Sequence, residues 1–297
     1  MGNQQTVQRR KRRFGDRSDG RRLRTRSPME VVAAYIMKTR VGASNYIKDT
    51  LDMNPIEGYI RQKRKEGKDI SLMQLIIAAY VRLVAQRPAL NRFIAGQKTY
   101  TRDDYVEIVL TIKKEMRLEA PDTVVKITVG KDATIFDIEN QLNQVIADYR
   151  DNPGGSFDKT AGILKKIPGV LLKFVVWVLN FMDYFGWLPR TLTKLSPFHG
   201  SFFITSMGSL GIPPIYHHLY DFGNVPLFCS FGAKYKCWEL DAQGNAQERH
   251  YVDITFVTDE RICDGFYFAS SLRLLKALLR RPELLEVPPE EVLEDID

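Results

Sequence analysis

In the stretch TDERICDGFYFA (258–269), Glu260 and Asp264 stand four residues apart, between a strand-like run and a helix-like one. A carboxylate placed at such a junction can do general acid–base work, taking or giving a proton in a transition state. A glutamate of ordinary basicity, near about 4.3, is a weak base at neutral pH unless burial raises it toward roughly 6–7. Beside Arg261 it would instead stay ionised, so a Glu260–Arg261 ion pair in a site without chemistry is the competing reading. The other chemistry-bearing residues are sparse. His199, His217, His218 and His250 show no HExxH or similar spacing, which argues against a metal site. Cys229, Cys237 and Cys263 form no CxxC pair, which argues for reduced thiols and no disulfide framework.

These residues belong to a chain of 297 residues with 44% apolar and 27% charged side chains, enough for a large globular core. The net charge of +7 is local. Residues 1–28 carry ten Lys or Arg and two Asp, a net of +8, which leaves −1 for the other 269. The run RRKRRFGDRSDGRRLRTRS (9–27) is almost without apolar residues and reads as a mobile basic arm, ordered at most in part against the domain. Phosphates of a lipid surface would attract it, and packing on a neighbouring subunit is the alternative. Phe14 is the one aromatic among its charges, which argues against nucleic acid as the partner. No apolar segment follows the first charges, so no secretory signal is expected and the reading is cytoplasmic.

The periodicity from Pro28 onward predicts mixed α+β structure with a mostly β second half. Helices are expected over 29–40, 54–67 (capped by Asn54), 71–88, 134–151 and 266–285, the third buried because it is apolar nearly all round. Strands are expected over 44–53, 93–100, 106–114, 123–129, 201–207, 226–240 and 250–258, with a turn at DAQGN (241–245). Residues 152–200 stand out. VLLKFVVWVLNFMDYFGWL (170–188) is the most apolar stretch, and on a helix Lys173, Asn180 and Asp183 fall in one narrow stripe. Its 19 residues are near the lower limit for a spanning helix, and Asp183 makes spanning costly. Four readings stay open: a buried core helix, a lid, an oligomer contact, or a helix lying on an anionic membrane surface with Trp177, Tyr184 and Trp187 against it. The last would make the protein peripheral on the inner face of a membrane.

Four segments, in order, resemble the catalytic domain of the dihydrolipoyl acyltransferases of 2-oxo acid dehydrogenase complexes, a fold shared with chloramphenicol acetyltransferase. They are AAYIMKTR (33–40), IIAAYVRLVAQRPALNRFIAG (76–96), FFITSMGSLGIPPI (202–215) and TDERICDGFYFASSLRLLKALLRRPELL (258–285). The resemblance spans residues 28–150 and 201–286. It implies a two-layer sandwich, a mixed sheet flanked by helices, over 29–297 with the apolar helical insert at 152–200. It also implies a trimer whose site lies between subunits, and coenzyme A as a substrate. In that family a histidine takes the proton of a thiol and a Ser or Thr hydroxyl donates to the oxyanion. Here the histidine slot holds Glu260, the hydroxyl slot falls at Thr205 or Ser206, and the Asp-Gly pair is Asp264-Gly265. With no histidine in the slot, the base is Glu260, or His217 or His218 in the following segment, or the chain is a non-catalytic oligomeric scaffold at a membrane surface. The insert would suit a hydrophobic acyl substrate. No lipoyl attachment segment is evident, so an acyl or lipoyl carrier would act in trans.

Overall fold

The computed structural model describes residues 11–113, 122–151, 162 and 165–296. Its strands, in chain order, are β1 (Arg21–Arg22), β2 (Ser44–Asp52), β3 (Arg92–Ala95), β4 (Lys98–Thr101), β5 (Tyr105–Lys113), β6 (Asp122–Gly130), β7 (Phe202–Ser206), β8 (Leu227–Leu240) and β9 (Ala246–Asp259). Six of them form a mixed sheet in the order β2–β9–β8–β7–β5–β6, parallel at β5–β7 and β7–β8 and antiparallel elsewhere. The helices are α1 (Pro28–Ile36), α2 (Met53–Lys65), α3 (Leu72–Gln86), α4 (Ile135–Asp151), α5 (Gly169–Tyr184), α6 (Arg190–Leu195) and α7 (Gly265–Arg280).

Alternation along the strands decides what each sheet face meets. In β5, Val106, Ile108 and Leu110 enter the main core, whereas Glu107 and Val109 point to the opposite face. The main core lies between the sheet and α3, in which every residue from Gln74 to Ala85 is buried. A helix apolar on all sides has no stable place but the interior. Its start is fixed by a capping box: Ser71 Oγ accepts the Gln74 N–H at 3.3 Å, and Gln74 Oε1 accepts the Ser71 N–H at 2.6 Å. The α7 and α4 helices flank α3 over this face.

Two local expectations are corrected. The α2 helix is capped by Asp52, whose Oδ1 accepts the Asn54 N–H at 2.9 Å, so Asn54 lies inside the helix. Residues 93–100 are not one strand but a hairpin, β3–β4, which with β1 forms a separate three-stranded sheet. Its two-residue turn, Gly96-Gln97, has positive φ at both positions (54° and 57°), the requirement of a tight hairpin loop. Gly96 is also irreplaceable on space, because a Cβ there would lie 2.3 Å from the Tyr184 carbonyl oxygen.

The first ten residues of the basic arm lie outside the described ones, and the rest of it packs against the domain. Arg17 and Asp19 are among the most buried ionic side chains of the protein. Arg17 Nε donates to Asp19 Oδ1 at 2.8 Å, its Nη2 to Asp183 Oδ1 at 2.5 Å, and its Nη1 to the Asp183 carbonyl. The guanidinium also lies 5.7 and 5.6 Å from the ring centroids of Phe93 and Tyr100 on the hairpin. Burial is thus made tolerable by pairing rather than avoided. Burial alone would raise Asp19, but Arg17 outweighs it and holds the carboxyl down at about 2.

The described part of the insert, residue 162 and 165–200, is fastened by charge as well. On α6, Arg190 Nη2 donates to Glu107 Oε1 of β5 at 2.8 Å. Lys126 of β6 donates to the Thr193 carbonyl at 2.8 Å and to that of His199, and burial lowers its pKa to about 8. His199 Nε2 is 3.4 Å from Asp183 Oδ1, without hydrogen-bond alignment. Burial pushes His199 below the usual histidine range despite Asp183 and Asp19 nearby. We take the imidazole as neutral. Burial would raise Asp183, and His199 and Arg17 together more than offset that.

Two outcomes follow for stability. Arg17→Met leaves Asp19 and Asp183 buried without their cation and should cost about 3–5 kcal/mol in urea unfolding; a loss under 1 kcal/mol would mean the arm is not anchored there. An unfolded histidine takes a proton below about pH 6.5, whereas buried His199 resists it to lower pH. Its contribution is therefore complete above pH 6.5 and is lost as pH falls from there toward the depressed folded value. His199→Gln should flatten the decline in unfolding free energy between pH 7 and about pH 5.

Candidate active site

The turn from β9 into α7 carries the acidic residues singled out from the sequence. Asp259 is fully buried and grips Arg261 with both oxygens, Oδ1 from Nε and Oδ2 from Nη2, each at 2.7 Å. Arg261 Nη1 donates in turn to the Met37 carbonyl at 2.6 Å. Arg261 is thus paired with Asp259 and not with Glu260, which overturns the Glu260–Arg261 pairing. Residues two apart point the same way here, and Glu260 between them turns outward. It is exposed, its Oε2 accepts Asn45 Nδ2 at 3.0 Å, and its N–H donates to the Ala43 carbonyl at 2.9 Å. Asp264 is exposed and caps α7, its Oδ1 accepting the Tyr267 N–H at 2.7 Å.

The hydroxyl candidates are separated by strand alternation. Phe203 of β7 packs with Phe228 and Val257 on the face away from α3, whereas Phe202 and Ile204 enter the main core. Thr205 therefore shares the Phe203 face and Ser206 the Ile204 face. Thr205 is 9% exposed, and its hydroxyl makes no hydrogen bond among the described residues. Thr205, Ser230 and Thr255 are register partners across β7, β8 and β9, a row of hydroxyls on one face.

That row positions the two histidines. Ser230 Oγ accepts the Ile215 N–H at 3.2 Å, and Thr255 Oγ1 donates to the Ile215 carbonyl at 2.6 Å. With Ile215 clamped, His217 lands on Phe228, ring centroids 4.3 Å apart and planes within 3°. Phe228 stacks on Phe203 at 4.7 Å. His217 thus lies over the neighbouring strand, offset from Thr205 by one strand spacing of about 4.8 Å across and a two-residue step of roughly 7 Å along. Its Nδ1 is 2.7 Å from the His218 carbonyl oxygen. A carbonyl only accepts, so Nδ1 carries the hydrogen and Nε2 keeps its lone pair. Burial pushes His217 below the usual histidine range, with the bond to the His218 carbonyl opposing. It is neutral at pH 7 and able to accept a proton. His218 is exposed and stacks on His217 at 4.6 Å.

Glu260 and Thr205 do not meet within one chain. Thr205 is in register with Thr255 across β8, and Glu260 follows five residues later. At about 3.4 Å per residue and about 4.8 Å per strand they lie roughly 17 Å apart along the strands and 10 Å across. A cleft of about 300 Å³ adjoins the turn, lined by Lys38, Arg40, Asp183, Asp221 and Arg261 among others. Its buried cations are already engaged: Arg40 donates to the carbonyls of Ile94 (2.6 Å) and Asp221 (2.9 Å). Sequence reasoning missed Asn45 as the partner of Glu260 and the Ser230–Thr255 clamp on Ile215; both are contacts between distant segments that spacing does not signal. No metal-binding group of three or more His, Cys, Asp or Glu occurs among the described residues.

No protein-family model matches the sequence, and no curated protein matches it. Solved structures do. A probable dihydrolipoamide acetyltransferase from Listeria monocytogenes superposes with a TM-score of 0.53 at 16% identity, over 87% of this chain and 95% of that one. The truncated catalytic core of the 2-oxoacid dehydrogenase multienzyme complex from Thermoplasma acidophilum gives 0.54 at 13% identity, over 88% and 98%. Dihydrolipoamide acetyltransferase of Azotobacter vinelandii gives 0.50 at 13%, over 86% and 88%; a serine, a histidine and an asparagine have been investigated in its catalytic mechanism. The fold is that of these acyltransferase catalytic domains. The α+β architecture expected from the sequence is the one observed, with a mixed sheet and flanking helices.

The geometry gives Asp264 a measurable structural duty. Asp264→Ala should lower stability by about 1 kcal/mol through loss of the α7 cap, and Asp264→Ser should recover most of it. Equal denaturation midpoints for the three proteins would remove the capping role.

Proposed function

We propose that the chain is an acyltransferase that moves an acyl group between coenzyme A and a second thiol, with His217 as the base. The observation that carries this reading is the pairing of a free Nε2 on neutral His217 with an unengaged Thr205 hydroxyl on the same sheet face. His217 Nε2 takes the proton of the attacking thiol, and the thiolate adds to the thioester carbonyl carbon. The Thr205 hydroxyl donates to the oxygen that gains charge. Collapse breaks the original C–S bond, and the imidazolium returns its proton to the departing sulfur. Fold likeness to acetyltransferase catalytic domains supports the reaction class. Among the solved structures, one is the core of a multienzyme complex, which supports assembly of several copies, a trimer in our reading. In such an assembly the exposed Glu260 of one copy can lie opposite Thr205 of the next, and an acyl or lipoyl carrier would arrive in trans.

Acyl exchange between acyl-coenzyme A and a dithiol tests this. His217→Gln should lower the rate by about 10²–10⁴-fold and Thr205→Val by about 10²–10³-fold, with Glu260→Gln changing it little. The wild-type rate should fall only as pH drops through the depressed His217 pKa, since the base must be unprotonated to act. A rate lost in Glu260→Gln and kept in His217→Gln would move the base to residue 260. No exchange above background would favour a non-catalytic scaffold.

A further inference from the structure

The α5 helix turns Asp183 inward, with Leu172, Leu179 and Met182 half-buried, while Lys173 and Asn180 of the polar stripe stay exposed. Its one buried residue is Asp183, 7% exposed and held by Arg17, while its aromatic side faces out. Trp177 is 59% exposed and Trp187 61%, with Phe174 at 58% and Phe181 at 44%. The outward rings form one ladder, Phe174–Trp177–Phe181–Phe185–Trp187, with neighbouring centroids 5.9, 5.8, 4.9 and 5.0 Å apart. This is not core, because little covers it. It is not a membrane span either: no helix among the described residues is long and apolar enough to cross one. Sixteen residues measure about 24 Å, short of a hydrocarbon core of about 30 Å.

We propose that α5 is a docking helix that lies flat on an anionic bilayer surface, its aromatic ladder among the headgroups. The charge around the ladder selects this occupant. Between residues 165 and 196 the one acid is Asp183, and it is buried against Arg17. Lys165, Lys166, Lys173 and Lys194 are exposed around the same segment. An aromatic face of Trp and Phe with a lysine rim is the pattern of helices that lie in the headgroup layer. A second copy docked by a two-fold contact would bring like rims together, whereas anionic lipid neutralises them. The mounting is rigid at one end: Tyr184 rests on the Gly96-Gln97 turn, its hydroxyl 3.1 Å from Gln97 Oε1, and Arg17 holds Asp183.

The test is co-flotation of the full chain with vesicles of phosphatidylcholine, with and without about one-third phosphatidylglycerol. The protein should float with the anionic vesicles at low salt and be released as ionic strength rises toward about 0.5 M. Trp177→Glu should weaken binding about tenfold or more, and Lys165→Glu with Lys166→Glu by about fivefold or more per lysine; unchanged circular dichroism shows that each variant folds. Deletion of residues 1–10 controls for the arm. The proposal is overturned if vesicle binding is absent at low salt, if neutral vesicles bind as well, or if binding follows the arm and ignores Trp177→Glu. It is equally overturned if Trp177→Glu splits an oligomer by light scattering without affecting vesicles. None of these outcomes bears on acyl exchange, so the two readings fail separately.

Discussion

The Arg17 guanidinium is where three distant stretches of chain are joined. It pairs with Asp19 in its own arm, reaches Asp183 at the end of α5, and lies over Phe93 and Tyr100 of the β3–β4 hairpin. A lone buried cation would be prohibitive; this one is matched by two buried carboxylates, so each of the three groups needs the others in place. The pairing is weak evidence for net stability but strong evidence for a fixed arrangement, since removing one member leaves unpaired charge in the interior. The orientation of α5 follows directly. Asp183 must face Arg17, so the opposite, aromatic side of the helix is turned to the surface.

The two faces of the large sheet divide labour. One meets α3, α4 and α7 and supplies the main core. The other carries Glu107 and Lys126, which fix the return of the insert, and the Thr205–Ser230–Thr255 row, which fixes the segment bearing His217. Polar side chains on this face therefore hold loops rather than fill space. Ser230 and Thr255 are both spent on Ile215, and Thr205 is the hydroxyl of the row left without a partner among the described residues. An unspent hydroxyl on the same face as an imidazole with a free lone pair is what separates this corner from the rest of the face.

Much of this was legible in the sequence and some was not, for physical reasons. The all-apolar run of α3 and the alternation of β5 and β7 set their own burial, and the order of elements led to the observed fold. The hairpin at Gly96-Gln97 was missed because its left-handed turn lacks the usual Asn-Gly signature, and tertiary contact with Tyr184 makes its glycine necessary. The narrow polar stripe and wide apolar face of α5 are visible in the sequence, but not which way the helix is turned. That depended on a partner 166 residues away, and periodicity carries no information about partners. The arm looked mobile because its composition cannot form a core, yet two of its charges enter one that other segments build.

The site shows the same limit of local reading. Spacing alone paired Glu260 with Arg261, the next residue along, whereas the turn pairs Arg261 with Asp259 and sends Glu260 outward toward Asn45. The strand register then separates Glu260 from Thr205 by more than any side chain can span, so chemistry shared by those two residues requires a second copy. His217 needs no second copy to approach Thr205, because the Ile215 clamp and the Phe228 stack already hold it on the same face. A base that travels with its hydroxyl in one chain and a carboxylate that can reach it only from another are therefore distinguishable in principle. Mixing chains that carry Thr205→Val with chains that carry Glu260→Gln can restore a shared site through intact pairs. Mixing Thr205→Val with His217→Gln cannot restore a site held within one chain.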